Sequence, residues 1–124
     1  MDQIINFKRY DLEERSLKFA KQTRSLVKSL PKSINNFEDG KQLIRSSGSV
    51  GANYIEANES LSKKDFIMRV KIAKKEAKET RFWLELIDIK GNQELEKIRL
   101  NLITETLELM KILGSIVEKS KYSL

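Results

Sequence analysis

The chain has 124 residues, of which 34% are charged, and its formal net charge at pH 7 is +6. It contains no cysteine and no histidine, which excludes disulfides, thiolate nucleophiles and the metal sites that depend on these ligands. No apolar run approaches the roughly 20 residues of a membrane span, and the N-terminal segment lacks the features of a secretory signal. We therefore expect a cytoplasmic, non-membrane protein without a cofactor, formed by one domain over residues 1–124.

Four amphipathic segments are predicted from hydrophobic periodicity and from the residues that begin and end helices. Helix 1 starts at the capping pair Asp11 and Glu14 and ends before the only proline. Helix 3 starts at a second pair, Ser62 and Asp65, and carries a heptad seam that Gly91 interrupts. The predicted helices span residues 11–30, 38–59, 62–90 and 93–119. With short connections between them, this pattern predicts an all-α, up-down-up-down four-helix bundle.

Glycine, serine and asparagine gather only in the segment 45–60, "RSSGSVGANYIEANES". A phosphate-binding loop needs a preceding strand and a lysine after the glycines, and neither is present. Within helix 2 the small residues would instead let a neighbouring helix approach more closely than the usual 8–10 Å. Two mid-helix glycines cost about 1 kcal/mol each relative to alanine, so close packing must offset that cost. The expected packing face consists of Ser47, Gly48, Gly51, Ala52 and Ile55.

Several short motifs follow one another in the segment 42–87. They are Ile44-Arg45, SVGAN at 49–53, Glu56-Ala57, SKKDF at 62–66, and KEAKET at 75–80 leading to Trp83-Leu84. In this combination the chain resembles the small bacterial four-helix-bundle family called the 23S rRNA intervening-sequence proteins. Many members have an aromatic residue just after the equivalent of Asp11-Leu12, where this chain has two glutamates. The looser resemblance extends over most of the chain.

The resemblance implies a left-handed bundle that assembles as a ring-shaped homopentamer. It also implies kinship with the accessory variability determinant of diversity-generating retroelements, a basic bundle that binds a reverse transcriptase and nucleic acid. The family label refers to genes found inside spacer insertions of ribosomal RNA, and it does not make the protein a ribosomal subunit. The partners implied are therefore further copies of the chain, a nucleic acid and a reverse transcriptase.

Predicted helix 3 is strongly basic, with eight basic and three acidic residues between Lys63 and Arg81. A basic face repeated around an oligomer would bind phosphates in a salt-dependent, largely sequence-independent way. The alternative is a solvated lysine face that only keeps the protein in solution. No aromatic residue is interleaved with these lysines in the way a base-stacking platform requires. The predicted nucleic-acid-binding residues are Lys64, Lys71, Lys74, Lys75, Lys78 and Arg81.

Predicted helix 4 has an apolar arc wider than one bundle seam requires, and two aromatic residues flank the seam of helix 3. We interpret this excess apolar surface as a subunit interface. The alternative is that the arc packs more deeply within a single chain. The predicted interface residues are Phe82, Trp83, Ile103, Leu107, Met110 and Val117.

Three Glu-x-x-Glu pairs provide the only basis for an enzyme. All-helical nucleotide pyrophosphohydrolases use such pairs to hold Mg²⁺, but the spacing also arises by chance in a highly charged chain. Pairing with a base such as Arg45 would explain the glutamates equally well. We therefore expect a non-enzymatic scaffold associated with RNA or DNA, without catalytic or metal-binding residues. The alternatives are a protein-interaction adaptor, such as a partner of a reverse transcriptase, and a magnesium-dependent pyrophosphohydrolase. The three pairs are Glu56/Glu59, Glu76/Glu79 and Glu105/Glu108.

Overall fold

The computed structural model describes the backbone of residues 2–122 and the side chains of residues 11–122. Its four helices are α1 (Asp2–Ser29), α2 (Ile34–Asn58), α3 (Lys63–Leu86) and α4 (Gln93–Lys121). No strand occurs among the described residues, so the prediction of an all-α fold is confirmed. Within the same residues, no helix is long and apolar enough to cross a bilayer. The prediction that the N-terminal segment is not a secretory signal concerns residues 1–10, whose side chains are not among those described.

Each helix packs against the next one along the chain, and α4 returns to contact α1. The connections have only four to six residues, so consecutive helices run antiparallel in an up-down-up-down bundle. In the described part of the chain, the diagonal pairs α1–α3 and α2–α4 have no Cα atoms within 8 Å of each other. The contact between α1 and α4 is much narrower than the other three, and it leaves a partly open seam.

The hydrophobic core lies between the four helices and follows the periodicity of the sequence. The predicted seam of α3 is confirmed over its central turns, where every seam residue from Val70 to Leu84 is buried. α4 contributes Leu102, Leu109 and Leu113 to the same core. At roughly 25 cal/mol for each Å² of apolar surface removed from water, these layers are the main stabilising contribution of the fold.

Helix α1 runs through the position where the sequence predicted its start. Asp11 and Glu14 are both exposed residues within α1, so the expectation that they cap the helix is wrong. An acidic pair three residues apart is equally compatible with an exposed helix interior. At the other end of the chain, α4 continues to Lys121, two residues beyond its predicted end.

The start of α2 is set by Ser33, whose hydroxyl oxygen accepts a hydrogen bond from the backbone N–H of Asn36 at 3.0 Å. Helix α2 therefore begins at Ile34, four residues before its predicted start. The same arrangement confirms the predicted start of α3, where the Ser62 hydroxyl accepts from the N–H of Asp65 at 3.1 Å. A serine side chain satisfies a backbone donor that the first helical turn leaves free.

Asn36 joins two connections at one end of the bundle. Its side-chain amide donates to the carbonyl oxygens of Pro31 and Asp88, each at 2.8 Å, and its carbonyl oxygen accepts from the N–H of Asp88 at 2.9 Å. The chain leaves the helical conformation at Ile87, so α3 ends at Leu86 instead of continuing to residue 90. Asn36 is only 4% exposed, and it ties the α1–α2 connection to the α3–α4 connection.

Small residues set the distance between α1 and α2. A Cβ atom added to Gly51 would lie 3.1 Å from the Cβ of Ser16, closer than ordinary van der Waals contact. Ser47 is fully buried, and a Cβ on Gly48 would lie 3.5 Å from the guanidinium of Arg24. The expectation that glycine in this segment allows a close helix contact is therefore supported at Gly51.

The remainder of the expected packing face points away from the bundle. Ala52 and Ile55 are exposed, so they take no part in the core contacts of α2. Successive residues of an α-helix lie about 100° apart, so the five residues cannot share one narrow face. Ile44, Gly48, Ala52 and Ile55 recur at spacings of three and four and form a second line, which we call the α2 outer row.

Candidate nucleic-acid interface

Helix α3 presents its basic side chains on the surface of the bundle. All five lysines predicted to contact nucleic acid are exposed. Arg81 is half-buried, and its Nε donates to Glu85 at 3.3 Å, so part of its hydrogen-bonding capacity is already used. The five lysines are Lys64, Lys71, Lys74, Lys75 and Lys78.

Four of these lysines lie on one line along the outside of α3, which we call the lysine row. Lys64, Lys71, Lys75 and Lys78 follow the spacing of three, four or seven residues that keeps side chains on one helix face. The core-facing residues of α3 occupy the opposite face. At 1.5 Å per residue, the row extends over about 21 Å.

Acidic residues occur near the lysine row, and Asp65 directly follows Lys64 in the sequence. In the described part of the chain, none of its four lysines forms an ion pair with a carboxylate. Two glutamates of α3 lie on its other flank, where the guanidinium of Arg45 pairs with Glu76 at 3.1 Å and also with Glu79. With these four lysines outside any ion pair of the described residues, this face of α3 attracts anions.

Lys74 lies beside the row, on the flank of α3 that faces α4. Its ammonium nitrogen is 3.2 Å from the position that a Cβ on Gly114 would occupy. The absence of a side chain at Gly114 gives the lysine stem room to lie across α4. A fifth positive charge is thereby held next to the row.

A shallow hollow of 780 Å³ lies at the N-terminal end of the lysine row. Its lining combines the apolar residues Ile67, Met68 and Ile72 with four lysines of α3 and one acidic residue, Asp65. Apolar side chains between cations suit a ligand that has both anionic and apolar groups.

Phe82 occupies the other end of the row, four residues after Lys78. Its side chain is 55% exposed. From the sequence, Phe82 was predicted to lie in a subunit interface, and no aromatic residue was predicted among the lysines. The one-turn spacing between Lys78 and Phe82 was the signal that could have revealed this neighbour. Trp83 behaves differently, since it is half-buried and packs against the core.

The four predicted interface residues of α4 have unequal exposure. Leu107 is exposed, Ile103 and Met110 are half-buried against the core, and Val117 is buried within the chain's own core. Little of Val117 remains available to a partner. Leu100, which the sequence reasoning missed, is exposed one turn before Ile103. We call Leu100, Ile103, Leu107 and Met110 the α4 outer row.

The open seam between α1 and α4 is bridged by one bidentate ion pair. Arg15 donates from Nε and Nη2 to the two carboxylate oxygens of Glu105, at 2.7 and 2.8 Å. The hydrogen bonding with Glu105 raises the pKa of Arg15 above its ordinary value, against the opposing effect of burial. A groove of 490 Å³ lies beside the pair, with Gln22 and Asn101 among its lining residues.

The Glu-x-x-Glu pairs do not come together as a metal site. Arg45 holds Glu76 and Glu79, and Arg15 holds Glu105. Across the described residues, no group of three potential metal-ligating side chains is present. Each of these three glutamates is therefore paired with an arginine.

Comparison with known proteins agrees with this fold. A crystal structure of a protein of unknown function from the S23 ribosomal protein family of Bacteroides thetaiotaomicron superposes with a TM-score of 0.75 and is 36% identical in sequence. The match covers 90% of this chain and 98% of that one. The comparison with curated proteins gives no match. The model of the 23S rRNA-intervening sequence proteins matches residues 8–115, and the chain therefore belongs to that family.

Proposed function

We propose that the protein binds nucleic-acid phosphates through the lysine row of α3 and has no catalytic activity of its own. The observation that carries this proposal is the exposed line of four lysines, none of which forms an ion pair within the described part of the chain. Lysine contacts to phosphate release counterions and depend little on base sequence. The expected ligand is thus an RNA or DNA recognised mainly by its charge.

The salt dependence of binding tests this proposal directly. If each of the four lysines neutralises one phosphate of a duplex, a plot of log K against log salt concentration has a slope of about −3 to −4. The measurement is fluorescence anisotropy of a labelled RNA duplex, titrated with protein at several potassium chloride concentrations. A slope near zero, or no binding at the lowest salt concentration, would contradict the proposal.

The non-enzymatic part of the proposal is supported by the pairing of the acidic residues. A magnesium-dependent pyrophosphohydrolase needs carboxylates that are free to coordinate the metal. Here Arg45 lies between Glu76 and Glu79, and Arg15 binds both oxygens of Glu105. Metal binding at either place would first have to displace an arginine.

We also propose that copies of the chain associate through the two outer rows. The α2 outer row combines small residues with two isoleucines, while the α4 outer row is continuously apolar. α2 and α4 are diagonal in the bundle, so the rows face different directions. Two different surfaces that bind each other form a heterologous interface, which closes into a ring when the rotation between copies permits it. The homopentamer implied by the family resemblance is a ring of this kind.

Placing two aspartates in the α2 outer row is expected to dissociate the oligomer. Ile44→Asp with Ile55→Asp introduces charge where apolar surface is buried between copies, and uncompensated buried charge is costly. Light scattering should show a fall to the monomer mass, while circular dichroism stays unchanged because both positions are exposed within one chain. Leu61→Asp serves as the control, since Leu61 is fully exposed outside both rows. An unchanged mass in the double variant would refute this interface.

A second candidate function is that of a protein-interaction adaptor, for example for a reverse transcriptase. The apolar hollow formed by Ile67, Met68 and Ile72 favours it, because phosphate binding does not require apolar contacts. An adaptor that uses this hollow would bind its partner with weak salt dependence. The salt series described above separates the two functions.

A further inference from the structure

The aromatic residue at the end of the lysine row has features that phosphate binding alone does not explain. Phe82 leaves 55% of its side chain exposed on the same outward face as Lys75 and Lys78. An isolated exposed phenylalanine is common on protein surfaces. This one lies one helical turn from a lysine that has no acidic partner in the described part of the chain, about 6 Å along the axis.

The ring of Phe82 is supported from one side. It packs edge-to-face on Trp83, with ring centroids 5.1 Å apart and an interplanar angle of 76°. The indole nitrogen of Trp83 donates to Glu79 at 3.0 Å, and Glu79 is in turn paired with Arg45. This chain of contacts fixes Trp83 against the core and restricts the motion of the ring above it. A ligand that stacks on Phe82 would therefore lose little free energy in ordering the side chain.

A fixed aromatic ring beside a line of cations is the arrangement by which proteins hold single-stranded nucleic acid. The cations contact the backbone phosphates, and an unpaired base stacks on the ring. A duplex has its bases stacked on one another inside the helix, so it can contact the lysines but offers no base face to the phenylalanine. Phe82 thus gives the surface a means to distinguish the two.

We infer that the lysine row takes a single-stranded segment, with one unpaired base on Phe82 and the adjacent phosphates on Lys78 and Lys75. The inference rests on the proposed function of the row and specifies its ligand. It assigns Phe82 to ligand binding instead of the subunit interface. Because every base has a face that can stack, the site distinguishes single-stranded from double-stranded nucleic acid but does not distinguish base sequences.

Phe82→Ala tests the inference against two probes of equal length, an oligouridylate of about 12 nucleotides and the corresponding RNA duplex. We expect the variant to weaken single-strand binding about tenfold and duplex binding by less than about twofold. Phe82→Trp should retain single-strand affinity, because an indole ring also stacks. Leu86→Ala is the matched control, since Leu86 is an apolar residue four positions further along the same face and is 50% exposed. It should leave both affinities unchanged.

Three results would overturn the inference. They are an unchanged single-strand affinity in Phe82→Ala, an equal loss for both probes, and a change of oligomer mass that places Phe82 between subunits. Joint replacement of Lys71, Lys75 and Lys78 by glutamine distinguishes a failure of the proposed function from a failure of the inference about Phe82. If that variant binds both probes like the native chain, the row is not the binding surface. If the glutamine variant loses affinity for both probes while Phe82→Ala keeps its affinity for both, only the inference about Phe82 fails.

Discussion

Replacing Asn36 by alanine is expected to lower the free energy of unfolding by about 2–4 kcal/mol. The substitution removes three hydrogen bonds, and it leaves the carbonyl oxygens of Pro31 and Asp88 and the N–H of Asp88 without their partner. These three hydrogen bonds are partly buried, so their loss together costs more than the net gain from one ordinary hydrogen bond. Urea denaturation followed by circular dichroism measures the loss.

The neighbouring asparagine provides the control. Asn35 is exposed, and Asn35→Ala should change stability by less than about 0.5 kcal/mol. Asn36→Asp separates hydrogen bonding from packing, because a carboxylate keeps the shape but loses the two amide donors. It should destabilise the protein at least as much as alanine does. A native-like stability in both Asn36 variants would show that the two connections do not depend on this side chain.

Reversing the charge of Lys71, Lys74 and Lys78 is expected to weaken binding to RNA by at least about a hundredfold near 0.1 M salt. The three glutamates remove favourable phosphate contacts and add repulsion along α3. All three lysines are exposed, so folding and oligomer mass should be unaffected. Anisotropy titrations measure the affinity, and light scattering verifies the mass.

A triple reversal on α1 controls for the change in net charge. Lys18, Lys21 and Lys28 are also exposed, and their replacement by glutamate alters the total charge of the protein by the same amount. If binding is localised on α3, this variant should lose less than about fivefold. Equal losses in the two variants would mean that RNA responds to total charge, without a binding site on α3.

The four-helix bundle could be predicted because the apolar residues that recur with helical periodicity are the residues that lie in the core. The heptad seam of α3 needs no knowledge of the partner helices, since each of its residues faces inward in any antiparallel bundle. Of the two serine residues that cap helix N-termini, only one was predicted from the sequence. Ser62 with Asp65 was identified correctly, while Ser33 was overlooked because the Asn-Asn and Asp-Gly pairs after it suggested a turn.

The features that the sequence could not reveal depend on contacts distant along the chain. Asn36 bonds to Asp88, 52 residues away, and no local pattern indicates that partner. The end of α3 at Leu86 follows from the same contact. For the proposed binding surface, the spacing of the lysines was sufficient to place them on one face. The sequence suggested Arg45 as a partner for the glutamates, but it did not show that one guanidinium pairs with both Glu76 and Glu79.

The narrow contact between α1 and α4 has a consequence for how the molecule opens in its native state. Helices joined by few contacts separate at a lower free energy than the global unfolding energy, and their amide protons exchange with solvent accordingly. The side of α1 that faces α4 has a narrow contact bridged by Arg15, whereas α3 packs broadly against both α2 and α4. Local unfolding would therefore begin at the α1–α4 seam and spare the helix that carries the lysines. The proposed binding surface thus lies on the part of the molecule that we expect to stay folded longest.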